Sequence, residues 1–182
     1  MRLLITGFEP FGGSDTNITQ EIISLLPAEE GNREIVTLCL PVSFQRAPIA
    51  LQQAIAQHHP HMLLLLGQCP EGEYIRLERF AMNMMDAQKR DNDDYIPSEV
   101  IIYPYAPLAY CTPLHVKEIV SYCQQMSLPV VASNSAGLFV CNRVYYEALH
   151  LQQQAIFLHI PKNFSLDLAI NIIQKIASKL VF

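Results

Sequence analysis

The run Met62-Leu63-Leu64-Leu65-Leu66 is apolar at every position, and it constrains the fold more than any other stretch. A strand with one wet face alternates apolar and polar residues. One with no polar position has to be covered on both faces, as at the centre of a largely parallel sheet layered between helices. The run is also far too short to span a bilayer.

The segments around it agree. Arg2 to Thr6, Glu34 to Leu40, Val130 to Ala132 and Ile156 to Ile160 read as strands, and Tyr74 to Met82 alternates as one more. Ile18 to Leu26, Pro48 to His58, Leu114 to Met126, Leu138 to Leu149 and Leu166 to Leu180 carry helical spacing. Met84 to Pro113 fits neither period, and its charges and prolines mark an irregular excursion. Strands alternating with helices predict an α/β chain: an α/β/α sandwich with a largely parallel, mixed sheet and helices on both faces. With no repeat or linker, residues 1–182 are expected to form a single domain.

Half of the residues are hydrophobic (51%), so the chain is not a disordered one. A net charge of −5 argues against nucleic acid or an anionic membrane as the main partner. The N-terminus turns polar by Thr6, too early for a signal peptide, and a cytoplasmic location is the default expectation. Five scattered cysteines, with no Cys-x-x-Cys pair, suggest neither a disulfide framework nor a zinc site. Cys39, in an apolar strand-like run, is expected in the core.

Cys141 stands out among the five. Small polar residues end at Gly137, and Leu138, Val144, Tyr145 and Leu149 then recur at helical spacing, which puts Cys141 in the first turn of a helix. The dipole there favours an anion, and an imidazole nearby makes a thiolate available near neutral pH. His159, near the end of a predicted strand, is the candidate imidazole. Loops at the carboxyl ends of strands in an open α/β sheet meet in one crevice, so the two can converge. Glu78 lies in an apolar strand-like stretch, where a carboxylate is costly unless paired, and is the candidate group to orient His159. A buried structural cysteine and a core histidine remain the plain alternative.

Other features carry less. The loop Gly7 to Gly13 matches neither the dinucleotide fingerprint nor the P-loop, and its Phe8 and Phe11 suggest an apolar pocket wall. His58, His59 and His61 straddle a helix end and a proline, so they crowd in sequence without converging as ligands. Asp91-Asn92-Asp93-Asp94 lacks the glycine and distal glutamate of a calcium loop and reads as a solvated turn.

Four stretches together resemble the cysteine-type pyroglutamyl peptidases (pyrrolidone-carboxylate peptidases, type I). They are Thr6 to Gly13, Glu78 to Asn83, Ser133 to Asn142 with its Val140-Cys141-Asn142, and Phe157 to Pro161. The resemblance implies Cys141 as nucleophile, His159 as general base and acid, and Glu78 as its orienting group. It implies an α/β/α fold, no cofactor or metal, and often a homotetramer. The partners would be N-terminally pyroglutamylated peptides. Phe8, Phe11, Phe139 and Val140 would wall the lactam pocket, and Gln68 would lie beside the lactam.

The chain departs from the family at several points. Cys69-Pro70-Glu71-Gly72-Glu73 replaces a glycine-rich, arginine-bearing loop, and Gln88 stands where an arginine is expected, with Arg90 as the candidate replacement. Of the usual Asn-Pro-Ser only Asn17 is kept, in Asn17-Ile18-Thr19, and the stretch between Cys141 and His159 is short. These differences leave two further readings open: a related cysteine hydrolase with altered substrate preference, and a non-catalytic binding descendant.

Overall fold

The computed structural model describes residues 1–180. In chain order the elements are β1 (Arg2–Phe8), α1 (Ile18–Leu25), β2 (Glu29–Glu30), β3 (Arg33–Leu40), α2 (Arg46–His58) and β4 (Met62–Cys69). β5 (Ile75–Glu78), β6 (Phe80–Met82), β7 (Met84–Met85), β8 (Val100–Ile101), β9 (Ala109–Cys111) and α3 (Val116–Gln125) follow. The chain then forms β10 (Val130–Ser133), α4 (Val140–His150), β11 (Ala155–Pro161) and α5 (Leu166–Lys179).

Seven strands make one mixed sheet in the order β10-β5-β11-β4-β1-β3-β2. β4 sits at its middle, hydrogen-bonded in parallel to β1 and β11. Its leucines divide by alternation between two cores, as a two-sided strand must. Leu64 and Leu66 pack with α1, α3 and α5 on one face; Leu63 and Leu65 pack with α2 and α4 on the other. All four are fully buried, each contributing about 1.5–3 kcal/mol by area. No helix among the described residues is long and apolar enough to cross a membrane.

Three expectations need correction. The stretch Tyr74 to Met82 is not one strand. It breaks at Arg79, with β5 joining the main sheet and β6 pairing antiparallel with β9. Cys39 is exposed on β3, because only alternate residues of that strand turn toward the core. Asp91 is no solvated turn residue but a buried carboxylate. It accepts hydrogen bonds from the backbone N–H groups of Phe44, Asp93 and Tyr95, each at 2.9 Å.

The irregular excursion is held by side chains that replace the missing ladder. Asn83 Nδ2 donates to the carbonyls of Tyr103 and Ala106, and its Oδ1 accepts from Tyr103 N–H. Asn142, fully buried on α4, donates to the carbonyls of Met82 and Met84 and accepts from Met82 N–H. Asn142 therefore locks the β6–β7 corner onto the helix that carries Cys141. Each such bond nets about 1 kcal/mol, and leaving its buried partners bare would cost more.

Candidate active site

β11 runs parallel to β4 but antiparallel to β5, and β10 pairs in parallel with β5. The carboxyl end of β10 therefore points away from the ends of β1, β4 and β11. Cys141 does not reach His159 by the expected route of strand ends sharing one crevice. The loop from Asn134 to Phe139 carries the chain back across the sheet, and Gly137 supplies its left-handed turn (φ 74°). The convergence is as expected, but its topological reason is not.

α4 begins at Val140, so Cys141 lies in its first turn, held against the sheet by Val140, Val144 and Ala148 at four-residue spacing. The Ncap residue Phe139 offers no side-chain cap. The leading N–H groups of the helix, with no carbonyl one turn before them, are left available at the thiol.

Gly67 sets the position of the sulfur. A β-carbon built there would sit 2.9 Å from Cys141 Sγ and 2.6 Å from Phe157 Cζ. The thiol thus rests on the bare backbone of β4, and Gly67 is the cross-strand partner of His159. Adjacent strands lie about 4.8 Å apart, so thiol and imidazole are near neighbours. No hydrogen bond joins them, and such contacts commonly tighten only when substrate arrives. Gly67 escaped the sequence reading, although a glycine interrupting an apolar strand marks close approach of another group. Gly67→Ala is expected to lower kcat/KM by roughly ten- to a hundredfold, because misplaced reacting atoms are costly. Steady-state kinetics check this, and unchanged activity would show that the close approach is dispensable.

His159 Nδ1 meets Glu78 Oε1 at 2.8 Å, with Glu78 wholly buried and His159 nearly so. The backbone carbonyl of Glu78 is fixed in turn by Tyr145 Oη at 2.9 Å. Burial pushes the Cys141 thiol up to about 12, with Cys69 and Glu78 adding to the rise and the residue's own N–H opposing it. That direction favours the neutral thiol and opposes the anion favoured by the helix end.

These groups open into a cleft of about 720 Å³. Phe8, Phe11, Gln68, Phe139 and Val140, the expected pocket residues, all line it with Cys141 and His159; Glu78 stands behind His159 and does not. Phe11 and Phe139 pack at 6.3 Å between ring centres, and Phe44 meets Phe139 edge-on at 5.2 Å.

The Phe8–Phe11 loop is tied down by polar side chains. Glu9 Oε1 accepts from Val42 N–H and from Asn92 Nδ2, which also donates to the Pro10 carbonyl. Asn17 donates to the Glu9 carbonyl and caps α1 through Thr19 N–H, while Thr19 Oγ1 accepts from Phe8 N–H. Asn17 and Thr19 thus retain a structural purpose in the altered Asn17-Ile18-Thr19. Gln68, which lines the cleft, accepts from Ile18 N–H through Oε1 at 3.1 Å.

Arg90 does not replace the missing arginine. Its Nη1 donates to the Asp94 carbonyl at 2.7 Å, and the neighbouring Lys89 is the one that lines the cleft. Cys69, in the altered loop expected beside the pocket, also lines it, as do Arg76 and Lys162, which were not expected there. Among the described residues no group of three or more His, Cys, Asp or Glu is placed to hold a metal ion.

A thiol at a helix start, an imidazole beside it and a buried carboxylate behind the imidazole are the equipment of a cysteine hydrolase on an α/β scaffold. Comparison with known proteins narrows this class. Residues 1–174 match the pyroglutamyl peptidase family, and the chain belongs to it. It is 37% identical to a pyrrolidone-carboxylate peptidase of Thermococcus onnurineus, covering 88% of this chain and 84% of that one. The pyrrolidone carboxyl peptidase from Thermococcus litoralis has a similar structure (TM-score 0.93, 32% identity), with 97% of this chain and 91% of that one covered. That of Fervidobacterium islandicum AW-1 superposes with TM-score 0.95 at 30% identity, over 99% and 98% of the two chains.

Proposed function

We propose that this chain removes an N-terminal pyroglutamyl residue from peptides, with Cys141 as nucleophile, His159 as general base and acid, and Glu78 as the orienting group. The observation that carries the reading is the line Cys141–His159–Glu78: sulfur over Gly67, imidazole on the adjacent strand, carboxylate at 2.8 Å from its far nitrogen. As Cys141 Sγ bonds the pyroglutamyl carbonyl carbon, its proton passes to His159. The imidazolium then protonates the leaving amine as the C–N bond breaks. Water attacks the thioester, giving a proton to His159, and the thiol returns with release of pyroglutamate. Free N–H groups at the start of α4 meet the developing oxyanion.

The cleft suits the substrate. Pyroglutamate is a flat, neutral lactam, and Phe8, Phe11, Phe139 and Val140 offer apolar walls. Among the described residues no carboxylate lines the cleft, so an ordinary N-terminal ammonium finds no counter-charge from them. The same reading carries a cytoplasmic, cofactor-free enzyme acting as a homo-oligomer. The exposed Tyr105 and Leu108, in one loop, fit that last point, and light scattering tests it.

The deciding assay is release of a fluorogenic amine from pyroglutamyl, glutaminyl and prolyl amides. Pyroglutamyl turnover is expected to exceed the other two by at least about a hundredfold, since binding an unpaired ammonium in an apolar site is heavily penalised. Preference for prolyl or glutaminyl amide would favour the related-hydrolase reading. No turnover of any would favour the binding descendant.

A further inference from the structure

Arg76 is not used by the proposed chemistry, yet it lines the cleft. It is the antiparallel cross-strand partner of His159 between β5 and β11, and paired residues point to the same face of a sheet. Cys69 lines the same cleft; burial pushes its thiol up, and the Arg76 charge opposes that rise. Arg76 is exposed and makes no ion pair among the described residues. Nearby acids do not pair with it among the described residues: Glu71, in the loop before β5, pairs with Lys162 at 3.3 Å, Glu78 on the same strand is taken by His159, and Glu73 forms no ion pair with it. Among the described residues, the charged ones lining the cleft, Arg76, Lys89 and Lys162, are all cations, in a chain whose net charge is −5.

The location of this charge matters more than its sign. The neutral lactam lies among the phenylalanines, whereas the departing amine must lie beside His159 to take its proton. A free guanidinium next to His159 therefore faces the leaving residue. We propose that Arg76 is a specificity-determining residue that binds a carboxylate on the first residue after pyroglutamate, favouring pyroglutamyl dipeptides with a free C-terminus or an acidic residue at that place. This rests on His159 being the group that protonates the leaving amine. The planar fork of arginine matches a carboxylate through two parallel hydrogen bonds, which lysine cannot reproduce. Lys89, which makes no ion pair among the described residues, adds to the field that draws such substrates in.

The test compares kcat/KM for substrates that differ only beyond the scissile bond. These are pyroglutamyl-alanine, its C-terminal amide, the aspartyl α-amide analogue, and neutral pyroglutamyl-aminomethylcoumarin. The free acid is expected to exceed the alanine amide by roughly tenfold at low salt, the ratio shrinking as ionic strength rises. In Arg76→Gln the ratio falls to about one, and Arg76→Lys restores part of it, as a point charge without the fork would. A gain with the aspartyl amide identifies a side-chain carboxylate as an equal source. If the wild type treats acid and both amides alike, or Arg76→Gln keeps the preference, the proposal is wrong. The coumarin substrate separates the two levels: no turnover removes the peptidase reading and this one with it, whereas turnover without preference removes only the carboxylate contact.

Discussion

Cys141→Ala is expected to lower kcat/KM for a pyroglutamyl amide by at least about ten-thousandfold, because no covalent intermediate can then form. Thermal stability should barely move, since the thiol sits in a cleft and fills no closed core volume. Cys69 also lines the cleft but does not take over. It lies two residues along β4 from the glycine that seats the sulfur of Cys141, and burial pushes its own thiol up. Activity surviving in Cys141→Ala would therefore sink the assignment of the nucleophile.

The same residue gives a pH prediction. A helix N-terminus stabilises an anion by about 0.3–1 kcal/mol, and up to about 2 where partly buried. Moving a thiol from 9.0 to about 12 corresponds to about 4 kcal/mol the other way, so burial wins. Below that range the thiolate fraction grows about tenfold per pH unit. Alkylation of Cys141 by iodoacetamide should accordingly be slow at neutral pH and still climbing at pH ~10. A rate that levels off below pH ~8 would restore the resting thiolate expected from the helix end. Mass spectrometry of digested protein distinguishes Cys141 from the exposed Cys39 and Cys111.

What the sequence made legible follows from which interactions are local. The all-apolar Met62 to Leu66 reveals a strand covered on both faces, because burial acts on each residue separately. Cys141 could be placed in the first turn of its helix by the apolar spacing that follows it. Strand direction could not be read. Whether β5 and β10 run with or against β11 depends on crossovers that leave no local mark, so the crevice argument brought Cys141 and His159 together by a path the sheet does not take. Composition also misled at Asp91, where a run of polar residues conceals a buried carboxylate organising three backbone amides. Arg76 reads as an ordinary exposed strand residue until its cross-strand partner is known to be His159. The four motifs identified the family, but the residues that distinguish this cleft lie outside them.

Glu78→Gln should be the most informative substitution behind the cleft, lowering kcat by roughly a hundred- to a thousandfold with KM little changed. Glu78 does not line the cleft; in the proposed mechanism it acts by accepting from His159 Nδ1, 2.8 Å away, which would leave Nε2 as the lone-pair nitrogen. A glutamine amide can turn its NH2 toward Nδ1, and the imidazole then carries its proton on Nε2, the wrong tautomer for taking one from sulfur. Even with the amide oxygen turned inward, the carboxylate charge that stabilises the imidazolium is gone. The other carboxylate oxygen, Oε2, is buried without a hydrogen-bond partner among the described residues, so the charged form is not ideally solvated. Replacing it with a neutral amide of the same shape should leave the melting temperature unchanged or raise it, since burying an incompletely paired charge is costly. Loss of rate without loss of stability distinguishes an orienting carboxylate from a structural ion pair, whose removal would depress both. Glu78→Asp sharpens the comparison: it keeps the charge but draws the carboxylate back by one methylene. If position as well as charge matters, kcat falls there too, and an aspartate variant of near wild-type rate would reduce the role of Glu78 to its field alone.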